Sequence, residues 1–317
     1  LVLDARHQGQ TAAALAAGIA MQLPDGVSLA GVLLNRIASQ RHEELISAAL
    51  AERGIALFGS LPANGDIEIP SRHLGLVQAA DLAASGTLEP MIDKAAELVA
   101  AHLDLGAIEA AFAGIAAPET GPALLPPPGH RIAIARDAAF GFSYEHLMAG
   151  WRDAGAEIMY FSPLADEAPP PNADFIFLPG GYPELHLPEL SRAGNFLGGL
   201  RAAAERGTRI YGECGGYMVL GETIIDAEGS SYPMAGLLAL ETSFAKRKLH
   251  LGYRRMTPLA QAWPGVEPVT GHEFHYTSAT RAEGDPLFAV SDAAGRDLGT
   301  MGLVRGSVAG SYAHIIA

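Results

Sequence analysis

Short apolar runs alternate with alanine-rich helical stretches through the first third of the chain. The apolar runs cover residues 2–4, 29–35 and 55–61, and the helical stretches cover residues 11–21, 43–53 and 92–102. This alternation is typical of parallel strands whose sheet is covered by helices. Residues 1–115 are therefore predicted to form one open, mostly parallel α/β domain.

A proline- and glycine-rich stretch, residues 116–129, interrupts this pattern and is predicted to be a linker. After it, strands are predicted at residues 131–136, 157–161, 174–178 and 208–211, and helices at 144–154 and 190–206. From Ser230 onward the apolar runs shorten and alternate, as in residues 270–277, which indicates added antiparallel strands. Residues 130–317 are thus predicted to be a second open, mostly parallel α/β domain, with ligands beyond the carboxyl ends of its strands.

Composition excludes several classes of partner. The chain has 21 Lys and Arg against 35 Asp and Glu, a net charge of −14, so neither nucleic acid nor a membrane surface is an expected partner. One cysteine cannot form an internal disulfide, and no apolar run approaches the ~18 residues that span a bilayer. The chain is expected in the cytoplasm, and the sequence leaves open whether it forms a homodimer.

The single cysteine lies in the segment Tyr211-Gly212-Glu213-Cys214-Gly215-Gly216-Tyr217. An apolar run precedes this segment and a helix-like stretch follows it, which predicts a strand, a tight turn and a helix with the thiol at the apex. That is the arrangement of a nucleophile elbow. The thiol is expected to be exposed, with its pKa lowered by the helix N-terminus. The alternative is a buried cysteine that acts as a small apolar side chain.

A cysteine nucleophile needs a base and hydrogen-bond donors for the developing oxyanion. The backbone N–H groups of Gly181 and Gly215 are the candidate donors, although Gly180-Gly181 is equally explained as a strand-ending turn. Among eleven histidines, His314 is the candidate base, because the segment 310–313 before it allows close packing against the elbow. A structural role is the alternative for His314.

Five segments carry a family resemblance. They are Leu178-Pro179-Gly180-Gly181-Tyr182-Pro183-Glu184, Gly212-Glu213-Cys214-Gly215-Gly216-Tyr217-Met218, Leu251-Gly252-Tyr253-Arg254, Gly271-His272-Glu273-Phe274-His275-Tyr276 and Gly310-Ser311-Tyr312-Ala313-His314. Together they resemble the cobyrinic or hydrogenobyrinic acid a,c-diamide synthases of cobalamin biosynthesis. The resemblance implies a C-terminal class I glutamine amidotransferase domain, which is flavodoxin-like, and an N-terminal dethiobiotin-synthetase-like domain of the P-loop NTPase type.

The same resemblance implies the chemistry. It makes Cys214 the glutaminase nucleophile and His314 the residue that raises its nucleophilicity. It implies that glutamine and a corrinoid polycarboxylate are substrates, and that ATP and Mg²⁺ are cofactors. The expected activity is glutamine-dependent, ATP-driven amidation of the a and c carboxylates of the corrinoid.

Two features depart from the resembled family. Class I amidotransferases commonly carry a Glu two residues after the His, where this chain has Ile316, so the group that orients His314 is not identified. The phosphate loop Gly-x-x-x-x-Gly-Lys-Ser/Thr does not occur in the chain, which starts inside an apolar strand without an initiator Met. The chain is therefore expected to lack residues at both ends and to be truncated before its ATP-phosphate site. The ligands of magnesium are unassigned.

Other residues of the synthetase half match the family more locally. In related synthetases the strand end that matches residues 31–36 contributes an asparagine to adenine recognition, which makes Asn35 the candidate nucleotide-binding residue. A strand-end turn is the alternative for Asn35. Asp4 lies at a strand end, where it could approach the magnesium site. Arg72 or His73 could face nucleotide or substrate.

Five cations, Lys246, Arg247, Lys248, Arg254 and Arg255, lie within ten residues of an acidic chain. A solvated basic loop is the plain explanation. The functional alternative is that residues 246–248 bind the carboxylates of the corrinoid.

His272 and His275 invite a metal-binding interpretation. Their spacing on a strand places them on opposite faces, which favours packing or a glutamine pocket instead.

Two other functions compete with the expected one: amidation of other side chains of the same ring, as by cobyric acid synthase, and a non-catalytic amidotransferase-like scaffold. The segments 251–254 and 271–276 favour the a,c type, and intact Cys214 and His314 argue against the scaffold. Whether the ring carries cobalt is not decided by the sequence, although a composition rich in Ala, Gly and Arg favours the metal-free ring.

Overall fold

The computed structural model describes residues 1–69, 79–112, 125–263, 265 and 267–316. The chain forms two units, residues 1–120 and 121–317. The predicted linker, 116–129, spans this division, and residues 116–124 of it lie outside the described residues. Arg72 and His73 also lie outside them.

A three-stranded parallel sheet forms the centre of the first unit. Its strands, in spatial order, are β1 (Val2–Asp4), β2 (Val32–Ile37) and β3 (Leu57–Pro62). The α-helices among the described residues of this unit are α1 (Thr11–Ala20), α2 (Gln40–Ala51), α3 (Ala79–Ala84), α4 (Leu88–His102) and α5 (Leu105–Phe112). Leu34 of the central strand is fully buried in one apolar cluster with Ile46 and Leu50 of α2. The predicted alternation of parallel strands and helices is confirmed, and α3 and α5 add to the three helices that were predicted.

The second unit is built on a ten-stranded sheet. Five strands form its parallel half: β4 (Arg131–Ala135), β5 (Glu157–Phe161), β6 (Phe175–Leu178), β7 (Arg209–Glu213) and β16 (Val308–Ser311). The antiparallel half contains β11 (His250–Pro258), β12 (Val269–His275), β14 (Asp285–Asp292), β15 (Asp297–Arg305) and β17 (His314–Ile315). The full order is β17-β12-β11-β14-β15-β16-β7-β6-β4-β5.

The prediction of a mostly parallel sheet is wrong for this unit, because the sheet is mixed. β16 pairs in parallel with β7 on one edge and antiparallel with β15 on the other, so it joins the two halves. A separate four-stranded sheet, in the order β13-β10-β8-β9, consists of β8 (Thr223–Ile225), β9 (Ser231–Pro233), β10 (Ala239–Ser243) and β13 (Ser278–Glu283).

In the described part of this unit, four α-helices accompany these sheets: α6 (Glu145–Asp153), α7 (Leu187–Arg192), α8 (Gly194–Glu205) and α9 (Gly215–Leu220). The single helix predicted over 190–206 is wrong, since α7 and α8 are separate. Ala193, with ψ of 78°, leaves the helical region between them. Pro188 lies in the first turn of α7, where a missing N–H is tolerated, so that helix begins before the predicted start.

Apolar side chains cover both faces of the parallel half. Ile132 and Ile134 of β4 belong to one buried cluster with Trp151 of α6, whereas Ala133 and Ala135 belong to another. Successive strand residues point to opposite faces, so β4 is buried on both sides, as parallel strands usually are. No helix in the described part of the chain is long and apolar enough to cross a bilayer.

Candidate active site

Cys214 forms the turn between β7 and α9, with φ of 47° and ψ of −104°. A non-glycine residue in this region is strained by roughly 1–3 kcal/mol, and such strain persists only where the surroundings hold it. Here the Cys214 N–H donates to the Ser311 carbonyl at 2.8 Å, and the Met218 N–H donates to the Cys214 carbonyl at 3.1 Å. The predicted strand, tight turn and helix with the thiol at the apex are confirmed.

The glycines after β6 and within the elbow are required by close packing. A Cβ on Gly216 would collide with the carbonyl of Leu178, and a Cβ on Gly180 would collide with Cε1 of His314. The missing side chain of Gly180 therefore makes room for the imidazole, so this glycine does more than end a strand.

The two candidate oxyanion donors lie close to each other. A Cβ on Gly215 would lie 3.2 Å from the backbone nitrogen of Gly181, and the Gly215 N–H acts to lower the pKa of the Cys214 thiol. A Cβ on Gly181 would collide with the Ala139 carbonyl. The structure brings both glycines to the carboxyl ends of β6 and β7, and their role as donors stays a prediction.

The predictions that the thiol is exposed and has a low pKa are both wrong. Cys214 is 5% exposed, and burial raises the pKa of its thiol well above the usual range. The nearby carboxyls of Glu184, Glu213 and Glu273 raise that pKa further, and the Gly215 N–H lowers it only in part. The six-residue helix α9 does not outweigh this desolvation. The resting group is therefore a neutral thiol, which needs a base.

His314 is the first residue of β17, which pairs antiparallel with β12, and it lies opposite His272 in that pairing. β16 runs beside β7 with Ser311 opposite Glu213, and the chain then turns so that the Ile315 N–H donates to Glu213 Oε1 at 3.1 Å. The predicted packing of His314 against the elbow is confirmed, while its role as base stays a prediction. Burial, with smaller contributions from His272 and His275, lowers the pKa of His314 to about 3.

Sequence reasoning missed Glu213. Its side chain is buried, and its Oε2 atom lies 3.8 Å from Nδ1 of His314. Burial raises the pKa of Glu213 to about 8. The one available signal was its position directly before Cys214, two residues after the end of the strand predicted over 208–211.

His272 and His275 do lie on opposite faces of β12, as predicted. The His272 ring stacks on His314 with 4.9 Å between ring centroids, and its Nε2 atom is hydrogen-bonded to the Tyr144 hydroxyl. The His275 ring stacks on Tyr312 with 4.0 Å between centroids. Both histidines therefore pack beside the site rather than share a ligand.

Among the residues that the structure describes, one group has ligand atoms close enough to hold a metal ion: His250, Glu273 and His275, whose ligand atoms all lie within 4.8 Å of one another. Glu273 already forms a nearly buried ion pair with Arg254 at 2.7 Å, and its other oxygen is 2.8 Å from Nε2 of His275. These contacts explain the group as a buried ion pair without a metal. They also correct the grouping of Arg254 with the solvated cations, because Arg254 is 11% exposed.

The other four cations of the sequence 246–255 are exposed, as expected for a solvated loop. Lys246, Arg247 and Lys248, here called the basic loop, are exposed between β10 and β11, and Arg255 is also exposed. Their part in corrinoid binding stays a prediction.

In the first unit, Asn35 lies near the carboxyl end of β2, level with Asp4 of β1 and Leu61 of β3. It lines a cavity of about 980 Å³ together with Arg6 and Arg36. Asp4 forms ion pairs with Arg6 at 3.0 Å and with Arg36 at 2.7 Å. Hydrogen bonds from Arg6, and to a smaller extent from Arg36, lower the pKa of Asp4. The Asp4 carboxylate is therefore paired with two guanidinium groups.

Residues 131–317 match the family model of the CobB/CobQ-like glutamine amidotransferase domain. That match covers the cysteine elbow and His314, and it defines the class of protein. Within this class, the chain belongs to the hydrogenobyrinate a,c-diamide synthase family.

Two relatives and one solved structure illustrate the likeness. The chain is 51% identical over 317 residues to hydrogenobyrinate a,c-diamide synthase of Rhizobium meliloti (strain 1021), with 100% of this chain and 72% of that protein covered. It is 50% identical over 320 residues to the synthase of Rhodobacter capsulatus, with the same coverage. The structure of PurLQS from Thermotoga maritima matches with a TM-score of 0.40 and 20% identity, over 58% of this chain and 86% of that one.

Proposed function

We propose that this chain uses the amide nitrogen of glutamine to amidate the a and c carboxylates of hydrogenobyrinic acid, in a reaction driven by ATP. The observation that carries the proposal is the strained elbow at Cys214, where the carboxyl group of the preceding residue, Glu213, lies 3.8 Å from His314. The identity of about one half to synthases named for this substrate supports the choice of corrinoid.

The glutaminase half uses the cysteine elbow. Cys214 Sγ attacks the side-chain amide carbon of glutamine, and His314 takes the thiol proton as the sulfur–carbon bond forms. His314 then gives that proton to the amide nitrogen, the carbon–nitrogen bond breaks, and ammonia leaves a thioester on Cys214. A water molecule that His314 deprotonates hydrolyses the thioester to glutamate.

Burial favours the neutral form of His314, which is the form that can accept a proton. Its lowered pKa, about 3, keeps the imidazole neutral at physiological pH, so a nitrogen is available to accept the thiol proton. The oxyanion of each tetrahedral intermediate is stabilised by the N–H groups of Gly181 and Gly215, which lie together beside the elbow.

The synthetase half is assigned to the first unit. When bound, ATP with Mg²⁺ supplies the phosphoryl group that makes a corrinoid carboxylate reactive toward ammonia. An amide and two guanidinium groups around one cavity fit a nucleotide: Asn35 can donate to and accept from a base, and Arg6 and Arg36 can bind phosphate oxygens. Asp4 holds both arginines at the cavity.

The proposal is tested by supplying glutamine, Mg²⁺-ATP and hydrogenobyrinic acid, and by following the products with mass spectrometry and NMR. We expect amides at the a and c side chains and one glutamate released for each amide. Cobyrinic acid, run in parallel, tests whether the ring must be free of cobalt. Amides at other side chains would support the cobyric acid synthase alternative, and glutamate release without any amide would contradict the corrinoid assignment.

The basic loop provides a second test. If it gathers the polycarboxylate ring, changing residues 246–248 together to Ser raises the KM for the corrinoid at low salt and leaves the KM for glutamine unchanged. Screening weakens an exposed contribution, since the Debye length falls from ~10 Å at 0.1 M to ~3 Å at 1 M salt. The difference between wild type and variant should therefore shrink at high salt.

The matched control changes three exposed arginines elsewhere in the same unit, Arg206, Arg296 and Arg305, to Ser. This control alters the net charge equally and should leave the corrinoid KM unchanged. An equal rise of the corrinoid KM in both variants would assign the effect to total charge. An unchanged corrinoid KM in both would indicate that the basic loop is only a solvated segment.

A further inference from the structure

An acidic side chain lies between the nucleophile's strand and the candidate base. We infer that Glu213 is the positioning residue for His314, accepting a hydrogen bond from its Nδ1–H so that Nε2 faces the reaction as the basic nitrogen. This inference rests on the proposed glutaminase function of Cys214 and His314, and it deepens that function by assigning the acid that completes the pair.

The geometry favours this pairing. The Ile315 N–H donates to Oε1 of Glu213 at 3.1 Å, which anchors the carboxyl group and leaves Oε2 at 3.8 Å from Nδ1 of His314. Within the described residues, that Nδ1 atom is buried and has no hydrogen-bond partner, and His314 is the sole ion-pair partner of Glu213. A buried polar atom without a partner costs stability, so the two groups are suited to each other.

The separation of 3.8 Å is about 1 Å longer than a direct hydrogen bond. Catalytic hydrogen bonds are often long in the absence of substrate and tighten when it binds. In the inferred active geometry the Glu213 carboxyl group turns about its anchored oxygen until Oε2 lies within hydrogen-bond distance of Nδ1 of His314.

The fold explains why the acid comes from this position. Ile316, which stands where class I amidotransferases commonly have a Glu, uses its backbone N–H to bond the Thr270 carbonyl at the sheet edge. β16 instead runs parallel to β7 and delivers His314 to the end of the nucleophile's own strand. Glu213, the last residue of that strand, is then the carboxyl beside Nδ1.

His272 and Tyr144 hold the ring from another side. The His272 ring lies nearly parallel to the His314 ring, with 15° between planes, and Tyr144 is hydrogen-bonded to His272. Stacking fixes the ring plane, and the carboxyl group fixes which nitrogen carries the proton. The titratable groups that surround the Glu213–His314 pair are Tyr144, Tyr211, Cys214, His272 and His275.

The protonation state of Glu213 decides which tautomer it selects. An ionised carboxylate accepts from Nδ1–H and leaves Nε2 free to take the thiol proton, as the orienting acid does in a catalytic triad. A protonated carboxyl donates to Nδ1 and leaves the proton of the neutral ring on Nε2, where it blocks base catalysis. Because burial raises the pKa of Glu213 to about 8, glutaminase turnover should rise as the pH passes through that value.

The test is Glu213→Gln. The glutamine carbonyl oxygen retains the bond from the Ile315 N–H, so the substitution removes the ionisation and keeps the anchor. We expect kcat for glutamine hydrolysis to fall by about 100-fold at about pH 9 and only a few-fold at about pH 6, with KM unchanged. Glu222→Gln, an exposed acid paired with Arg281, is the matched control and should follow the wild-type profile.

Two outcomes would overturn the inference: a kcat ratio of wild type to variant that is constant with pH, which indicates a structural role, or a variant with the wild-type profile. Glu213→Asp keeps an acid at the site and should retain the rise with pH, which guards against a variant that misfolds. Wild-type protein that hydrolyses no glutamine would instead contradict the proposed function.

Alkylation of Cys214 tests the role of Glu213 without glutamine, and therefore independently of the proposed glutaminase function. Cys214 is the only cysteine of the chain, so its rate of reaction with iodoacetamide reports the nucleophile directly. Glu213→Gln should slow that reaction at about pH 9, and it should cause no further slowing in a His314→Ala background, because Glu213 acts through His314. Additive losses would overturn the inference.

Discussion

Replacing Cys214 by serine is expected to abolish glutamine-dependent amidation and to leave ammonia-dependent amidation largely intact. A hydroxyl at this buried position is a weaker acid than the thiol, and neutral His314 cannot ionise it to a useful extent. The source of ammonia is then lost, whereas the cavity at Asn35, to which we assign the nucleotide, is untouched. The measurement is amide formation on the corrinoid with glutamine or with an ammonium salt as nitrogen donor.

The ammonium arm of this experiment is its own control, since it reports whether the variant still folds and activates carboxylates. A thermal melt of the Cys214→Ser variant completes the comparison. Equal loss of both activities would contradict the assignment of amide hydrolysis and carboxylate activation to separate sites.

Removal of His314, the proposed base, should produce the other large effect. His314→Ala is expected to slow glutamine hydrolysis by about two orders of magnitude or more, the usual scale for a general base. Burial keeps the Cys214 thiol protonated, so without the imidazole few molecules reach the reactive thiolate. If Glu213 orients His314 as inferred, the defect should be larger at about pH 9 than at about pH 6, because wild-type His314 becomes an effective base only as Glu213 ionises.

His130→Ala is a suitable control for this substitution, because His130 is exposed and is not part of the elbow. It should leave kcat and KM for glutamine at their wild-type values. If the His314→Ala variant kept more than about a tenth of the wild-type kcat across the pH range, another group would have to be the base.

The elbow could be predicted from the sequence because its determinants are local. A strand followed by Gly-x-Cys-x-Gly-Gly and a helical stretch needs a tight turn at Cys214, and the structure has that turn at positive φ. The parallel strands β1 to β7 were equally accessible, since each is a short apolar run with helical sequence beside it.

The environment of the elbow could not be predicted in the same way, because it comes from distant segments. The thiol was expected to be exposed, yet Glu273 of β12 and Tyr312 beside β16 lie close enough to influence its ionisation or to be influenced by it. The hydrogen bond between Glu213 and Ile315 joins residues 102 positions apart, so no local sequence pattern predicts it. The prediction of one long helix over 190–206 was wrong for a local reason, since the backbone of a single residue, Ala193, divides the segment into two helices.

The burial of Cys214 has a consequence for the oxidant tolerance of the protein. Peroxide reacts with the thiolate form of cysteine and needs access to it, and here the sulfur is both neutral and 5% exposed. The resting enzyme therefore presents little target for sulfenic acid formation. In the proposed mechanism the reactive form is the thiolate that His314 generates, so oxidation of Cys214 by peroxide should be slow and should depend on that histidine.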